Sequence, residues 1–200
     1  MNDRRALRKA LRRARAALSP PQRRAAALQV ASSIAATRWL SPGRRIGLYA
    51  ALGAELDTAP LQRLCQQHGC ALYLPRLESV RARRMTFTPL ALHHRRNRYG
   101  IPEPDTAKRM HAAFLHIIFM PLVGFDDHGN RLGMGAGFYD RALAFRRRRR
   151  CWRGPLLVGL AHDCQHVALI EPTPTDVPLD AVVTGSGIRW FRGAPTCTTG

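Results

Sequence analysis

Lysine is almost missing from this chain of 200 residues: only Lys9 and Lys108 occur, beside thirty arginines. Acids are scarce as well. Thirteen Asp and Glu stand against 32 Lys and Arg, a formal net charge of +19. Aromatic residues make up just 7%, and near the Arg146–Arg150 run they sit at the edges, as Phe145 and Trp152. Surfaces that bind nucleic acid interleave aromatics with their cations, so the pattern argues against RNA or DNA as partner. The five cysteines are Cys65, Cys70, Cys151, Cys164 and Cys197. An odd count without a CxxC pair excludes a disulfide framework and a cysteine zinc site, and points to a reducing compartment. His162 and His166 form HxxxH, but no acid or third ligand stands at metalloprotease spacing, so core or surface roles are expected. The longest apolar stretch, Phe114–Phe125, is broken by His116 and Pro121 and is shorter than the ~20 residues of a transmembrane helix. The N-terminus lacks the apolar core of a secretory signal. Its Arg- and Ala-rich composition is also that of a transit peptide, but the same segment serves a functional motif. A cytoplasmic location without a membrane partner is expected.

What is present suits a globular enzyme. Hydrophobic residues make up 46%, enough for a core, and the length fits one domain of ordinary size. Residues 1–192 are expected to form that domain, as a monomer, with 193–200 as a loose tail. The charge is concentrated in two blocks. Residues 1–24 hold nine basic residues and one acid, and residues 145–153 hold six basic residues and no acid. Such blocks attract polyanions, whether nucleic acid, anionic lipid or small phosphorylated and carboxylated molecules. Arginine abundance without lysine also follows from codon composition.

Periodicity gives the elements. Leu7, Leu11, Ala14 and Leu18 mark one face of a helix, with Arg4, Arg8, Arg12 and Arg15 as a stripe beside it. That stripe reads as a solvated face, although its like charges at i, i+4 repel and an anion would relieve them. Ser19-Pro20-Pro21-Gln22 restarts a second helix, to about Thr37, with a capping box. Strands are expected at Ile46–Ala50, Ala71–Pro75, Met85–Thr88, Leu115–Val123, Leu156–Ala161 and Ala181–Thr184. Helices are expected at Thr58–His68 and from Phe138 to about Arg149. Strands alternating with helices predict an α/β fold: a three-layer α/β/α single domain with a largely parallel sheet, preceded by two N-terminal helices.

One segment carries chemistry. Arg131-Leu-Gly133-Met-Gly135-Ala-Gly137-Phe-Tyr139-Asp140 follows a buried strand and opens a helix. Glycines at every second position let the backbone approach a ligand. Their N–H groups suit a phosphate chain, and Arg131 can add a bidentate contact. A carboxylate beside phosphates, Asp140, makes sense as a ligand of Mg²⁺. GxGxG alone is a weak signal, and a flexible glycine turn has the same spacing; the flanking Arg and Asp favour phosphate.

The run from Pro121 to Asp140, PLVGFDDHGNRLGMGAGFYD, resembles the signature of the 5-formyltetrahydrofolate cyclo-ligase family. Matching segments follow in order: the Arg4-xxx-Arg8 helix ending in Leu18-Ser19, Tyr49–Thr58 with Glu55-Leu56-Asp57-Thr58, Leu74-Pro75-Arg76, Gly100-Ile101-Pro102-Glu103-Pro104, Gly159-Leu160-Ala161, Gln165, and Asp176-Val177-Pro178-Leu179-Asp180. The likeness covers about residues 4–188. It implies conversion of 5-formyltetrahydrofolate to 5,10-methenyltetrahydrofolate with MgATP, releasing ADP and phosphate. It also implies residue roles. Arg4, Arg8, Arg131, Gly133, Met134, Gly135, Ala136, Gly137, Phe138 and Tyr139 would meet ATP. Ala50, Glu55 and the stretch Met134–Phe138 would meet folate, with Glu55 on the pterin amino groups. Asp140 and Asp180 would serve Mg²⁺. Arg131 and Tyr139 would be the catalytic pair, although a core role suits Tyr139 equally. Several positions depart from the family pattern: Arg4 where Lys is frequent, Ala136 where Gly or Lys is frequent, His162 in place of an aromatic, Thr175 in place of His, and Gly185 in place of Glu. A nucleic-acid-binding protein and a nucleotide-binding paralog with another substrate are the alternative readings.

Overall fold

A computed structural model describes residues 2–90, 94–96, 102–104, 108–148 and 154–191. The expected tail at 193–200, the end of the Arg146–Arg150 run and the Gly100-Ile101 pair lie outside these residues. Two helices open the chain, α1 (Asn2–Ala16) and α2 (Pro20–Ala35). Arg, Ala and Leu are strong helix formers, and they dominate α1. The capping box before α2 is present. The Gln22 N–H donates to Ser19 Oγ at 3.4 Å, and the Ser19 N–H donates to Gln22 Oε1 at 2.8 Å.

The remaining elements are β1 (Arg45–Gly47), α3 (Ala59–Gln67), β2 (Ala71–Ser79), β3 (Arg84–Pro89), β4 (His94–Arg96), β5 (Pro102–Pro104), β6 (Ile117–Pro121), β7 (Gly124–Phe125), β8 (Arg131–Leu132), α4 (Phe138–Ala142), α5 (Phe145–Arg148), β9 (Leu156–Leu160), β10 (Ala181–Thr184) and β11 (Gly187–Trp190). Seven strands form one sheet in the order β11-β10-β9-β6-β1-β2-β3. Its five inner strands are parallel, and the two edge strands run antiparallel to their neighbours.

Alternation along the strands builds two cores. Ile117, Phe119, Val158, Leu160, Ala181 and Val183 pack with Val30, Ile34, Leu61 and Cys65 from α2 and α3. Their neighbours Ile118, Met120, Leu157 and Val182 pack with Phe138, Leu143 and Phe145 on the other side. The result is the expected three-layer α/β/α arrangement. Burying each large side chain contributes ~1.5–3 kcal/mol. Cys65 is a packing residue, fully buried, with its thiol pushed up to about 12 by that burial. Among the described residues no helix is long and apolar enough to cross a membrane.

The structure corrects several expected elements. The helix from Phe138 is two short ones, α4 and α5, because Leu143 is fully buried between them and the chain must turn there. β6 is shorter than expected and is followed by the unexpected hairpin β7–β8; β11 was also not anticipated. Ala14 is exposed and does not continue the buried face of α1. That face instead combines Leu11 with Arg15, both buried, and the partly buried Arg4, Leu7 and Arg8.

The strand order reverses at β1, with β2 on one side and β6 on the other. Open α/β sheets bind ligands beyond the carboxyl ends of their strands at such a reversal. The segments that leave β1 and β6 there are residues 48–58 and 122–137.

Candidate active site

Two loops form the walls of the site. The loop after β1 is pinned from within. Tyr49 Oη donates to the Leu56 carbonyl at 2.9 Å, Thr58 Oγ1 donates to the Tyr49 carbonyl at 2.8 Å, and the Leu52 N–H donates to Glu55 Oε2 at 3.0 Å. Burial raises the Glu55 carboxyl above its ordinary range, while the Leu52 N–H and the Arg15 guanidinium oppose the shift. Glu55 also borders a cleft of about 450 Å³ whose lining includes Arg23, Arg24, Asp57 and Arg63.

The glycine loop, residues 133–137, is held differently. Asp126 anchors the hairpin that leads into it. This fully buried carboxylate accepts from the N–H groups of His128, Asn130 and Ile170 and from Asn130 Nδ2, each at 2.9 Å. Burial works to raise the Asp126 carboxyl, but these bonds outweigh it and hold the group below its usual range. Met134, Gly135 and Ala136 are exposed. Gly135 and Gly137 have φ of 101° and 69°, the left-handed region where a side chain is strained. Gly133 carries no such demand, and a Cβ there would meet nothing within 4 Å.

Charged side chains surround the loop. Arg8 Nε donates to the Gly133 carbonyl at 2.9 Å. Arg4 pairs with Asp176 at 3.1 Å. Arg131 is 6% exposed, donating to the Val177 carbonyl and pairing with Asp140 Oδ1 at 2.5 Å. The Val177 N–H also donates to Asp140 Oδ1, at 3.3 Å. Arg83, in the β2–β3 turn, has φ of 50°, unusual for a residue with a side chain. Its Nη1 lies 3.7 Å from where a Gly137 Cβ would stand.

Between the walls lie polar groups without partners. Among the described residues, Tyr139 Oη and Arg15 Nε are buried and make no hydrogen bond, and the His162 ring is buried beside the Ala54 backbone. Tyr139 is close enough to both Glu55 and Arg131 for each to act on its phenol, which burial raises above its ordinary value. A buried polar group left unpaired costs ~1–3 kcal/mol, and a pair of them in one crevice marks a place where a ligand supplies the missing partners.

A sequence model of the 5-formyltetrahydrofolate cyclo-ligase family matches residues 1–185. The chain belongs to that family. It is 34% identical over 186 residues to the 5-formyltetrahydrofolate cyclo-ligase of Escherichia coli K12, covering 89% of this chain and 98% of the relative. The Haemophilus influenzae cyclo-ligase is also 34% identical, over 71% of this chain and 76% of its own. The solved 5,10-methenyltetrahydrofolate synthetase of Aquifex aeolicus superposes with a TM-score of 0.77 at 26% identity, covering 98% of this chain and 96% of that one. The Mycoplasma pneumoniae synthetase shares the fold, with a TM-score of 0.71 at 21% identity over 92% of this chain and 99% of that one.

The cyclo-ligase fold brings most of the expected site together. Arg8, the glycine loop, Phe138, Tyr139 and Asp140 meet on one wall, with Ala50 and Glu55 on the other. Two expectations need correction. Arg131 does not point into solvent to await a phosphate; it is buried, and its guanidinium holds Asp140 in place. Asp180 is 5% exposed and has protein partners on both oxygens: Arg146 at 2.7 Å on Oδ1 and the Leu157 N–H at 2.7 Å on Oδ2. Tying α5 to the sheet, it is not a ready metal ligand. Among the described residues no group of three His, Cys, Asp or Glu could hold a metal. Asp140 by itself still suits Mg²⁺, which is commonly held by one or two carboxylates plus substrate phosphates. It is partly exposed, and its partners here all meet Oδ1.

Sequence reasoning missed Arg83, Asp126 and His162 as parts of the site. Arg15 had a legible signal, since it stands seven residues after Arg8 and eleven after Arg4, on one helix face.

Proposed function

We propose that the chain converts 5-formyltetrahydrofolate to 5,10-methenyltetrahydrofolate at the expense of MgATP, releasing ADP and phosphate. The observation that supports this best is the position of Tyr139. Its unpartnered hydroxyl lies close enough to feel both Glu55, the carboxylate suited to an aminopyrimidine edge, and Arg131, just before the glycine loop. A crevice bordered by those two loops suits a reaction in which a pterin and a triphosphate must meet.

The formyl oxygen attacks the γ-phosphorus and displaces ADP, giving an iminium phosphate. The folate N10 then attacks the activated carbon, its proton is lost, and phosphate departs. Such chemistry needs alignment and charge neutralisation rather than a protein nucleophile. Glu55, with Ala50 beside it, orients the pterin. Backbone N–H groups of Gly133–Gly137 and the cations Arg4, Arg8 and Arg83 receive the triphosphate. Arg4 and Arg8 now bond Asp176 and the Gly133 carbonyl, and phosphate oxygens are stronger acceptors for them. Arg131 positions Asp140, which would hold Mg²⁺; the ion neutralises charge on the phosphates when bound. Tyr139 stays protonated and donates across the junction of the two substrates. Arg23, Arg24 and Arg63 at the neighbouring cleft suit the carboxylates of the folate glutamate tail.

The inward arginines weaken the nucleic-acid alternative. Arg15 of the first basic block and Arg146 of the second donate to protein acceptors. The test is direct: purified protein, 5-formyltetrahydrofolate and MgATP, followed by the ultraviolet absorbance of the methenyl product. Product that appears only with ATP is expected. Its absence, beside tight RNA binding with a steep salt dependence, would overturn the proposal.

A further inference from the structure

Arg15 has no use in the roles described so far. It lies near the end of α1, 7% exposed, and none of the described ion pairs involves it. Among the described residues its one hydrogen bond, Nη1 to the Leu122 carbonyl, is long at 3.3 Å, and Nε is buried without a partner. The Glu55 carboxylate is near enough to feel its charge but makes no ion pair with it, and a buried guanidinium with so few partners is costly because arginine cannot shed its proton.

His162 meets it there. The ring is 2% exposed. It lies against the Ala54 backbone, and burial first, then the nearby Arg15 charge, lowers its pKa and keeps it neutral. Both residues therefore adjoin the loop that carries Glu55, from two other elements: α1 and the segment after β9. The Leu122 carbonyl that Arg15 reaches is also a target of Gln165 Nε2, at 2.7 Å, beyond the carboxyl end of β6. The spot lies at the strand-order reversal, beside the carboxylate, and it presents donors without acceptors.

A pterin ring is complementary to this arrangement. Its amino group and ring N3–H form a donor edge that matches one carboxylate. The carbonyl oxygen at C4, an acceptor, stands next to that edge. We infer that Arg15 is a second anchor for the reduced pterin, donating from Nε to the C4 carbonyl oxygen while Glu55 takes the adjacent amino edge, with His162 as the neutral wall beside it. This inference rests on the folate reading of the site and adds to it a residue that discriminates between 4-oxo and 4-amino pteridines. A donor on the protein favours a ring acceptor and opposes a ring amino group.

The test compares 5-formyltetrahydrofolate with its 4-amino-4-deoxy analogue by calorimetry without ATP, at a pH that leaves the analogue ring unprotonated. Wild-type protein should bind the 4-oxo compound more tightly by more than about tenfold, since the analogue lacks both the C4 acceptor for Arg15 and the N3–H for Glu55. Arg15→Met should weaken the 4-oxo compound, leave ATP affinity unchanged and narrow the gap about tenfold, the size of one hydrogen bond to a charged group, the rest being the N3–H that the analogue denies Glu55. Arg15→Lys, which keeps a donor, should restore part of the gap. A merely structural role would not move the gap between two ligands. Equal binding of the two compounds by wild-type protein overturns the inference even if Arg15→Met does not fold, and so does a gap of unchanged size in Arg15→Met. If wild-type protein binds neither pteridine, the folate reading itself fails, a result distinct from both.

Discussion

The two walls of the site are built on opposite plans. The Glu55 loop is closed on itself by hydrogen bonds from Tyr49, Thr58 and Leu52, and its carboxylate is already aimed. The glycine loop is exposed from Met134 to Ala136 and is fastened only at its ends, by Arg8 at Gly133 and by the Arg131–Asp140 pair. A pterin is rigid, and a preformed wall binds it without reordering. A triphosphate is flexible and highly charged, and a glycine loop can adjust to it as ions and phosphates arrive. On the proposed reading, selectivity belongs to the first wall and charge handling to the second.

Mutations should divide along the same line. Glu55→Ala removes the acceptor of the pterin amino edge. The folate KM should rise ten- to a hundredfold, in line with loss of a charged hydrogen-bonded pair, while the KM for MgATP stays within about threefold. Arg131→Ala should do the reverse. It frees Asp140 and leaves the Val177 carbonyl unpaired, so the KM for MgATP should rise about tenfold and the folate KM little. Stability should also fall in this variant alone, since breaking a buried ion pair costs ~3–5 kcal/mol and the exposed share of Asp140 reduces that figure. Steady-state kinetics with each substrate varied reads both. An exchange of the two effects would show that the walls have been assigned the wrong ligands.

Protonation should divide the walls too. The Glu55 carboxyl is raised by burial, so it gains a proton at a higher pH than an ordinary carboxylate does. The protonated form has lost an acceptor for the amino edge. As pH falls, kcat/KM for folate should therefore drop first, up to about tenfold per pH unit on the acid limb, while kcat/KM for MgATP holds until lower pH. In Glu55→Gln the early limb should disappear. Parallel limbs for the two substrates would remove Glu55 as the cause.

The walls also differ in how legible they were. Gly133, Gly135 and Gly137 announced themselves by their spacing, and two of them prove to hold a positive φ that admits few other residues, while Asp140 announced itself because a carboxylate beside a phosphate loop demands a cation. The layers of the fold were legible for a similar local reason, since apolar runs such as Ile117–Met120 leave few ways to bury both faces. Elements whose existence depends on distant partners were not. The β7–β8 hairpin is fixed by Asp126 accepting from Ile170, 44 residues away. Arg131 reads as a phosphate ligand until Val177 arrives from the far side of the chain to turn it inward. Asp180 likewise reads as a metal ligand until Arg146 and Leu157 take both oxygens. A charge in a sequence carries no record of which partner reaches it first in the folded state.

Arg83 gives the smallest and most specific test of the flexible wall. Ala136 stands where the resemblance leads one to expect Gly or Lys, so the loop from Gly133 to Gly137 brings no cation of its own. The β2–β3 turn brings Arg83 to Gly137 from another part of the chain, in a backbone conformation that costs it some strain. If that guanidinium replaces the missing charge, Arg83→Ala should raise the KM for MgATP about three- to fivefold, the effect of one exposed cation on a phosphate. The folate KM should not move, and thermal stability should hold or rise slightly as the strain is relaxed. Introducing Ala136→Lys into the Arg83→Ala background should restore the lost affinity, because the two side chains would supply the same charge to the same phosphates. Failure of that rescue, with Arg83→Ala itself silent, would leave the loop with Arg4 and Arg8 as its cations and make the second wall more dependent on α1 than on the hairpin.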